Sequence, residues 1–314
     1  MNILVTGGAG FIGSHLVEQL LAERNLVFVI DDFSTGDITN LPTNKNLEVF
    51  EQDIINKLPK ITEKIDLIYH LASPACPIIF KEEPERVLNT NDLGTRNILE
   101  LAKDNGAKFV FTSSSEIYGM QNSKTIIEEN SISHLCNLTS RSCYVAAKRF
   151  AEELILLYKK KYNLDTRTIR LFNVYGPRMD KKNTIYGRVI PNFLRAALKN
   201  NPLVANGDGT QVRSFCWIDD VIEALLLLGK LETFPVNVIN IGKSEPISII
   251  DLARLIIKLT KSESKIEFGY REIDDTLWRC PDILQAKEIL NWTPKTSLEE
   301  GLRKLIVIKT TKGE

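Results

Sequence analysis

The chain has 314 residues, of which 43% are hydrophobic and 25% are charged, proportions that are typical of a folded globular protein. Lys and Arg together number 40, as do Asp and Glu, so the formal net charge is zero. We therefore expect no nucleic-acid partner, which would require a basic excess on one face. No apolar run reaches the ~18 residues of a membrane span, and the first residues do not resemble a signal peptide, so we expect no membrane association.

The cysteine and histidine contents bear on compartment and metal chemistry. The cysteines are odd in number and include no Cys-x-x-Cys pair: Cys76, Cys136, Cys143, Cys216 and Cys280. This pattern favours reduced thiols in a cytoplasmic protein. The three histidines are scattered along the chain, so we predict no metal site.

Short apolar runs alternate with longer amphipathic segments in the first half of the chain. The predicted strands are residues 3–6, 27–31, 48–51, 67–71, 108–112 and 166–171. The predicted helices between them include residues 12–22, 84–104 and 144–162. Because such alternation is typical of a parallel sheet covered on both faces, we predict an α/β fold with a Rossmann doubly wound parallel sheet.

The sequence after Asn173 is richer in turns, and two helices are predicted near the end, over residues 282–290 and 297–308. We interpret this half as a smaller substrate-binding lobe that is interleaved with the last strands of the sheet. The predicted boundaries are 1–172 with 213–242 for the first domain, and 173–212 with 243–314 for the smaller lobe.

A glycine-rich segment lies between the first predicted strand and the first predicted helix. Gly7, Gly10 and Gly13 allow a tight turn and a close approach by a pyrophosphate, which would rest on the helix N-terminus. Phe11 and Ile12 belong to the same predicted cofactor-binding segment. The alternative, a glycine-rich turn without a ligand, fits the flanking strand and helix less well. We therefore predict a dinucleotide site.

Acidic residues follow the second and third predicted strands. Asp31 and Asp32 end the second strand, where a carboxylate accepts ribose hydroxyls and repels a 2′-phosphate, which favours NAD over NADP. Asp53 and Ile54 follow the third strand and would flank the adenine, although an ordinary strand-end aspartate explains this pattern nearly as well. The predicted cofactor site is completed by Leu71, Ala72 and Asn91.

Tyr144 and Lys148 are four residues apart at the start of a predicted helix, so their side chains share one face. A tyrosine with an ordinary pKa near ~10 is a poor base, but a neighbouring ammonium and a positive nicotinamide ring would lower that pKa. A hydroxyl from residues 113–115, at the end of a predicted strand, would complete a catalytic site. Alone, such a pair is more often a packed tyrosine and a surface lysine, but the preceding glycine-rich segment favours catalysis.

Four segments together resemble the extended short-chain dehydrogenase/reductases that modify nucleotide sugars. They are TGGAGFIGSHL near the start, TSSSEIYG at residues 112–119, YVAAK at 144–148 and LFNVYGPR at 171–178. The resemblance covers nearly the whole chain. It implies that Ser114, Tyr144 and Lys148 form a catalytic triad that lies next to a bound NAD. It also implies that Asn173 contacts the sugar diphosphate and that Arg213 binds a phosphate, a role that suits a bidentate guanidinium. The smaller lobe would then bind a nucleotide sugar.

Three further segments are similar to those of UDP-glucuronate decarboxylases, also called UDP-xylose synthases. They are HLASPA at residues 70–75, RSFCWIDD at 213–220 and DDTLWRCPD at 274–282. The similarity implies that Glu116 and Arg279 act on the substrate, with further substrate contacts from Ser73, Pro74, Ser115 and Arg178. The implied reaction oxidises C4 to a ketone, releases the C6 carboxylate as carbon dioxide and regenerates NAD. Without this similarity, a surface ion pair for Arg279 and a loop-capping role for Glu116 would be the simpler interpretations.

Three alternatives stay open. A nucleotide-sugar 4-epimerase or 4-dehydrogenase would preserve the carbon number of the sugar. A 4,6-dehydratase usually has an aspartate where this chain has Ser115, and a hydroxyl is a poor acid for expelling the C6 oxygen. A regulatory or scaffold protein on the same fold would not need all three triad residues. Because family members commonly pair through two helices, we also expect a homodimer formed by residues 84–104 and 144–162.

Overall fold

A computed structural model describes residues 1–121, 124–133, 138–179 and 188–312, so His134 and Cys136 lie outside the described residues. The strands are β1 (Asn2–Thr6), β2 (Leu26–Asp31), β3 (Leu47–Glu51), β4 (Leu67–His70), β5 (Lys108–Ser114), β6 (Thr166–Leu171), β7 (Val174–Tyr175), β8 (Leu203–Asn206), β9 (Val212–Ser214), β10 (Cys216–Trp217), β11 (Val238–Ile241), β12 (Pro246–Ser248), β13 (Ile266–Gly269) and β14 (Trp278–Arg279). The helices are α1 (Phe11–Ala22), α2 (Pro77–Glu82), α3 (Pro84–Asn89), α4 (Thr95–Asn105), α5 (Ser142–Tyr162), α6 (Val189–Leu198), α7 (Ile218–Lys230), α8 (Ile249–Thr260), α9 (Leu284–Leu290) and α10 (Leu298–Lys312). Short 3-10 turns cover Ile38–Asn40 and Ser115–Tyr118.

Strand β1 lies at the centre of a parallel sheet that, in the described part of the chain, has the order β11-β6-β5-β4-β1-β2-β3. Thr6 at the end of β1 is in register with Ile30 on one side and His70 on the other. The chain builds the sheet outward from β1 to β3, then returns and builds outward from β4. In such sheets ligands bind at this reversal, beside the carboxyl ends of the strands. The predicted strands and the Rossmann fold are confirmed.

The central sheet is buried on both faces, as its continuous apolar strands predict. Ile3 and Val5 of β1 pack into the core on one face, which also contains side chains of α1, α6, α7 and α8. Leu4 packs on the other face with side chains of α4 and α5, because successive strand residues point in opposite directions. Among the residues that the structure describes, no helix has both the length and the apolar character that a bilayer-spanning segment needs.

A π turn over Thr90–Gly94 interrupts the helix predicted over residues 84–104 and separates α3 from α4. Within this turn the Asn91 side chain donates hydrogen bonds to the Val87 carbonyl oxygen (2.8 Å) and to Ser73 Oγ (3.1 Å). A side chain that takes a carbonyl from the preceding turn widens the helix locally. The helix predicted over residues 84–104 is therefore present, and it contains a π turn of which hydrophobic periodicity gives no sign.

The second half contributes elements to the large sheet as well as small sheets of its own. β11 pairs in parallel with β6 at one edge of the central sheet, and α7 contacts α1. Smaller sheets pair β7 with β10, β8 with β13, and β9 with both β12 and β14. The segment predicted to return to the first domain thus contains α7 and β11, whereas the two-lobe division itself stays a prediction. Helices α9 and α10 lie close to their predicted positions.

The loop between β1 and α1 is packed so tightly that two of its positions require glycine. A Cβ atom at Gly13 would lie 2.1 Å from the Gly7 carbonyl oxygen, closer than any real contact of that kind. Gly7 has a φ of +70°, and a Cβ there would approach the backbone of Ala72 to 2.8 Å. Glycine therefore allows α1 to start directly against the strand ends.

We expect Gly13→Ala to lower the free energy of unfolding by about 2 kcal/mol or more, because the new methyl group forces a backbone shift. The matched control is Gly10→Ala, whose Cβ would lie 3.2 Å from the same carbonyl oxygen and needs a smaller adjustment. Urea unfolding curves of both variants measure the difference. Equal, small losses would show that α1 has more freedom than the structure indicates.

Candidate active site

A cavity of about 820 Å³ lies at the carboxyl ends of the central strands. The first half of the chain contributes Asp31 at the end of β2 and Ser114 at the end of β5, and Leu171 ends β6. Arg213 of β9 and Arg279 of β14 line the same cavity from the small sheet. The cavity is therefore formed between the two halves of the chain, where the sheet reverses its direction of growth.

Most of the predicted site residues line this cavity. They are Gly7, Gly10, Phe11, Ile12, Gly13, Asp31, Asp32, Asp53, Ile54, Leu71, Ala72, Ser73, Pro74, Ser114, Glu116, Tyr144, Lys148, Asn173, Arg178, Arg213 and Arg279. Asn91 and Ser115 are buried outside the lining. Asn91 contacts the lining residue Ser73, and Ser115 begins the turn that carries Glu116. The structure brings these groups together, and their roles toward a ligand stay predictions.

The glycine-rich loop and α1 form a cradle that fits a dinucleotide. Within the described residues, no side chain caps the N-terminus of α1, so its first N–H groups are left for an anion. The Ala9 N–H donates to Asp31 Oδ2 at 2.9 Å, which fixes the loop against the end of β2. Side chains at Gly7 or Gly13 would close the approach that a pyrophosphate needs.

The acidic residues near this cradle already form hydrogen bonds within the protein. Asp31 accepts two backbone N–H groups, each at 2.9 Å. Asp32 accepts from the N–H and the hydroxyl of Ser34 and forms an ion pair with Arg86. Asp53 accepts one backbone N–H at 3.0 Å. A carboxylate has about four acceptor positions, so each residue retains capacity for a ribose or a base.

Tyr144 and Lys148 lie on one face of α5, as their spacing predicts. The Tyr144 hydroxyl shares a hydrogen bond with the Ser114 side chain, and its ring stacks on Phe80 with the centroids 4.5 Å apart. Lys148 is 2% exposed and donates to the Thr112 carbonyl oxygen at 2.9 Å. The predicted catalytic hydroxyl, phenol and amine are thus held together at the end of β5.

Burial raises the pKa of Tyr144 to about 12, although its hydrogen bond with Ser114 opposes the shift. The lowering of this pKa that the sequence analysis expected from Lys148 and a nicotinamide ring stays a prediction, because within the protein alone the loss of hydration dominates. Burial also lowers the pKa of Lys148 to about 7, against the opposing charge of Glu152. Near neutral pH, Tyr144 is therefore a protonated phenol and Lys148 lies between ammonium and amine.

A buried ion pair forms a second charged centre in the cavity. Arg279 donates a hydrogen bond to Glu116 Oε1, and an Arg141 nitrogen lies 3.7 Å from the same oxygen. Burial alone would raise the pKa of Glu116, but the two arginines lower it to about 2. Arg279 is 4% exposed, and its Nε has no hydrogen-bond partner among the described residues. Since buried donors are nearly always paired, this indicates a guanidinium arranged for a partner other than the protein.

The predicted phosphate-binding residues are held in place by the protein. Arg213 donates to Asp275 Oδ1 at 2.5 Å. The Asn173 side chain donates a hydrogen bond to the Ser214 carbonyl oxygen at 2.9 Å. The backbone of Asn173 has a positive φ of 34°, which is unusual for a residue other than glycine. Arg178 pairs with Glu18 of α1 at 2.5 Å, so it lies beside the helix that follows the glycine loop.

The cavity also contains residues that the sequence analysis missed: Phe80, Arg141, Arg188 and Asp275. Arg141 lies immediately before α5, three residues before Tyr144, so helical spacing gave a signal for it. Asp275 belongs to the segment at residues 274–282 that the resemblance singled out, so that segment gave a signal for it. Arg188 comes from a segment without a local pattern.

A Rossmann sheet with a dinucleotide cradle and a buried Ser–Tyr–Lys group defines a short-chain dehydrogenase/reductase. Residues 3–242 match the NAD dependent epimerase/dehydratase family, and the chain belongs to that family. The predicted family and its cofactor, NAD, are therefore confirmed.

Comparison with individual proteins gives a finer picture. UDP-glucuronic acid decarboxylase 6 of Arabidopsis thaliana is 41% identical over 309 residues, which cover 96% of this chain and 87% of that protein. UDP-glucuronic acid decarboxylase 2 of the same plant is 40% identical over 96% of this chain, which spans 66% of that protein's length. A UDP-glucuronic acid 4-epimerase from Bacillus cereus, solved with UDP-glucuronic acid and NAD, superposes with a TM-score of 0.86 at 29% identity. That match covers 99% of this chain and 100% of the epimerase chain.

We expect Glu116→Gln to be less stable than the wild type at neutral pH, because Arg279 keeps a buried charge without its counter-ion. The folded pKa of about 2 lies below the ordinary value of 4.5, so the stabilising contribution of Glu116 is present above pH 4.5 and is lost as the pH falls toward 2. The difference in unfolding free energy should therefore shrink over that window, as urea titrations at several pH values would show.

Glu82, which is exposed at the end of α2, provides the control for this experiment. Glu82→Gln should show a small difference from the wild type at every pH. A difference for Glu116→Gln that stays constant across the window would contradict the ion pair with Arg279.

Proposed function

We propose that this chain is an NAD-dependent decarboxylase that converts UDP-glucuronate to UDP-xylose through a 4-keto intermediate. The observation that carries the proposal is the buried Glu116–Arg279 pair in the same cavity as Tyr144. The identities of 40 and 41% to plant UDP-glucuronic acid decarboxylases support this reaction. The structural likeness to a UDP-glucuronic acid 4-epimerase supports the same substrate, although that enzyme catalyses a different reaction on it.

Tyr144 acts in this proposal as the base that removes the proton of the C4 hydroxyl. The glycine loop and the carboxylates at the end of β2 would hold NAD, whose nicotinamide would accept a hydride from C4 and would return it at the end of the cycle. Ser114 holds the C4 oxygen by a hydrogen bond. The pKa of Tyr144, about 12, must fall so that the phenolate, the form that accepts the C4 hydroxyl proton, is present, and positive charge on Lys148 and on the oxidised cofactor has the required sign.

Arg279 serves the carbon–carbon bond cleavage. A ketone at C4 makes the substrate a β-keto acid, so the C5–C6 bond breaks, carbon dioxide leaves and the electron pair moves toward the C4 oxygen. The guanidinium stabilises the carboxylate before cleavage and the enolate after it. A proton from water then adds to C5 and C4 is reduced again, so the cycle causes no net oxidation.

Glu116 has a positioning role in this scheme. Its pKa of about 2 keeps it ionised across the physiological range, so it does not supply the C5 proton. The Glu116 carboxylate instead positions Arg279 by a hydrogen bond, and Arg141 lies near the same carboxylate. Removing the carboxylate should therefore misplace the guanidinium as well as weaken the fold.

The charge around the small sheet also supports an acidic sugar. Among the described residues that line this part of the cavity, four arginines (Arg141, Arg188, Arg213 and Arg279) outnumber the carboxylates of Glu116 and Asp275, and Asp274 pairs with Arg141 from outside the lining at 3.5 Å. A UDP-hexose brings a diphosphate, whereas UDP-glucuronate adds a carboxylate at C6. The excess of guanidinium groups fits the second ligand better, because charge complementarity favours the partner that neutralises the site.

The direct test is to incubate the purified protein with UDP-glucuronate and a catalytic amount of NAD, then to follow the sugar by NMR and measure released carbon dioxide. We expect a UDP-pentose and carbon dioxide in equal amounts, without accumulation of NADH. A six-carbon product would replace the proposal by a 4-epimerase, and NADH formed in step with product would indicate a dehydrogenase. Unchanged UDP-glucuronate would contradict the proposal outright.

Arg279→Gln isolates the cleavage step. We expect kcat for carbon dioxide release to fall by about 100-fold or more, because the variant loses a charged group that acts in the transition state. Reduction of NAD by UDP-glucuronate should remain detectable, since C4 oxidation does not need this guanidinium. Arg303→Gln, which changes an exposed arginine of α10, is the matched control and should keep full activity. An unchanged kcat in Arg279→Gln would remove Arg279 from the mechanism.

A homodimer is also part of the proposal. Apolar side chains are exposed on α3, the π turn and α5: Leu88, Leu93, Phe150 and Leu157, at 42 to 52% of their surface. A second copy covering this patch would bury it in a symmetric interface. We expect Leu157→Glu to shift the protein to monomers in light scattering, whereas Val307→Glu on α10 should not. A wild type that is already monomeric would refute the dimer.

A cytoplasmic location completes the proposal. Among the described residues, Cys143, Cys216 and Cys280 carry free thiols, and those of Cys216 and Cys280 are buried. Free buried thiols are typical of proteins in reducing compartments.

A further inference from the structure

The end of the cavity near β2 and β3 is strongly acidic. Asp31, Asp32 and Asp53 line it, and among the described lining residues at positions 30–40 and 52–54 none carries a positive charge. The charged groups that a 2′-phosphate would meet among these lining residues are all carboxylates. The proposed placement of the adenosine ribose here therefore agrees with a preference for NAD.

One cation nevertheless lies directly behind this acidic surface. Arg86 of α3 donates a hydrogen bond to Asp32 Oδ2, across 54 positions of sequence. Both side chains are 29% exposed, so the ion pair is accessible to solvent at the rim of the cavity. The other terminal nitrogen of Arg86 is 3.2 Å from Glu83, a carboxylate that is half exposed.

The other carboxylate oxygen of Asp32, Oδ1, accepts hydrogen bonds that fix its orientation. Oδ1 accepts the Ser34 N–H at 3.0 Å and the Ser34 hydroxyl at 2.6 Å. Ser34 therefore holds the carboxylate, and the carboxylate holds the guanidinium of Arg86. This arrangement keeps Arg86 on the far side of Asp32 from the cavity, since Arg86 itself does not belong to the described lining.

We infer that Asp32 selects against NADP in two ways: it repels a 2′-phosphate, and it also sequesters Arg86, the cation that would otherwise bind that phosphate. The inference rests on the proposed function, because it needs the adenosine ribose at the end of β2. A guanidinium offers five N–H donors in a planar fork that matches phosphate oxygens. Arg86 could thus bind a 2′-phosphate if Asp32 did not hold it. The preference for NAD over NADP then has two sources, the negative charge of Asp32 and the ion pair that keeps Arg86 away from the phosphate.

Binding of NAD and NADP to the full chain, measured by calorimetry after removal of any bound nucleotide, tests this inference. Asp32→Asn keeps the side-chain size and an oxygen for Ser34 but removes the charge that holds Arg86. We expect this variant to bind NADP at least about ten-fold more tightly than the wild type does, as a new charge-assisted contact requires. Arg86→Gln alone should show no gain, and the Asp32→Asn, Arg86→Gln double variant should lose most of it.

Arg96→Gln in the Asp32→Asn background is the matched control. Arg96 pairs with Asp92 at 2.6 Å on an exposed surface, so the change removes one arginine without touching the rim of the cavity. The gain in NADP affinity should survive in this variant.

Two results would overturn the inference. If the gain persists in the Asp32→Asn, Arg86→Gln double variant, repulsion by Asp32 alone is sufficient. If Asp32→Asn leaves NADP affinity unchanged, Arg86 does not reach the phosphate. A wild type that binds neither nucleotide would instead overturn the cofactor assignment itself, and the inference with it, so the two failures are distinguishable.

Discussion

The close packing of α1 on the loop after β1 is the constraint on which the cavity depends. It leaves no room for a Cβ atom at Gly13, so the helix N-terminus is fixed against the strand ends. Behind the loop, His70 hydrogen-bonds Thr6 of β1 at 2.7 Å and Thr95 of α4 at 3.0 Å. Burial lowers the pKa of His70 to about 3, so the ring is neutral and has one donor and one acceptor nitrogen. The cradle is thus braced by an uncharged bridge, which leaves its positive helix end for an anion.

Arg279 is held next to the rest of the site by backbone hydrogen bonds between the two halves of the chain. Backbone hydrogen bonds join Trp278 to Gln121 at 3.1 Å and Ile127 to Cys280 at 2.9 Å, on either side of Arg279. They fix the two-residue strand β14 beside the turn after β5 and so aim the guanidinium at its carboxylate partner. The cofactor cradle and the charged centre are therefore built by different parts of the chain and meet only in the folded protein.

This division explains how far sequence analysis reached. The fold followed from strand–helix alternation and the glycine-rich loop, because both are local patterns with a direct structural meaning. The convergence of Tyr144 and Lys148 followed from helical spacing. The π turn did not, because it depends on one Asn91 side chain that reaches a carbonyl and a residue from another segment. The upward shift of the Tyr144 pKa also escaped prediction, since burial depends on the packing of Phe80 and its neighbours. Arg188 was missed because tertiary structure alone brings it to the cavity.

The wide separation of Glu116 from Arg279, 163 positions along the chain, has a consequence for the order of assembly. Such a contact closes a long loop, which costs chain entropy. On the ribosome, the strands that carry the cradle and Tyr144 emerge well before β14. The growing chain therefore contains every residue of the nucleotide cradle before it contains the arginine that pairs with Glu116.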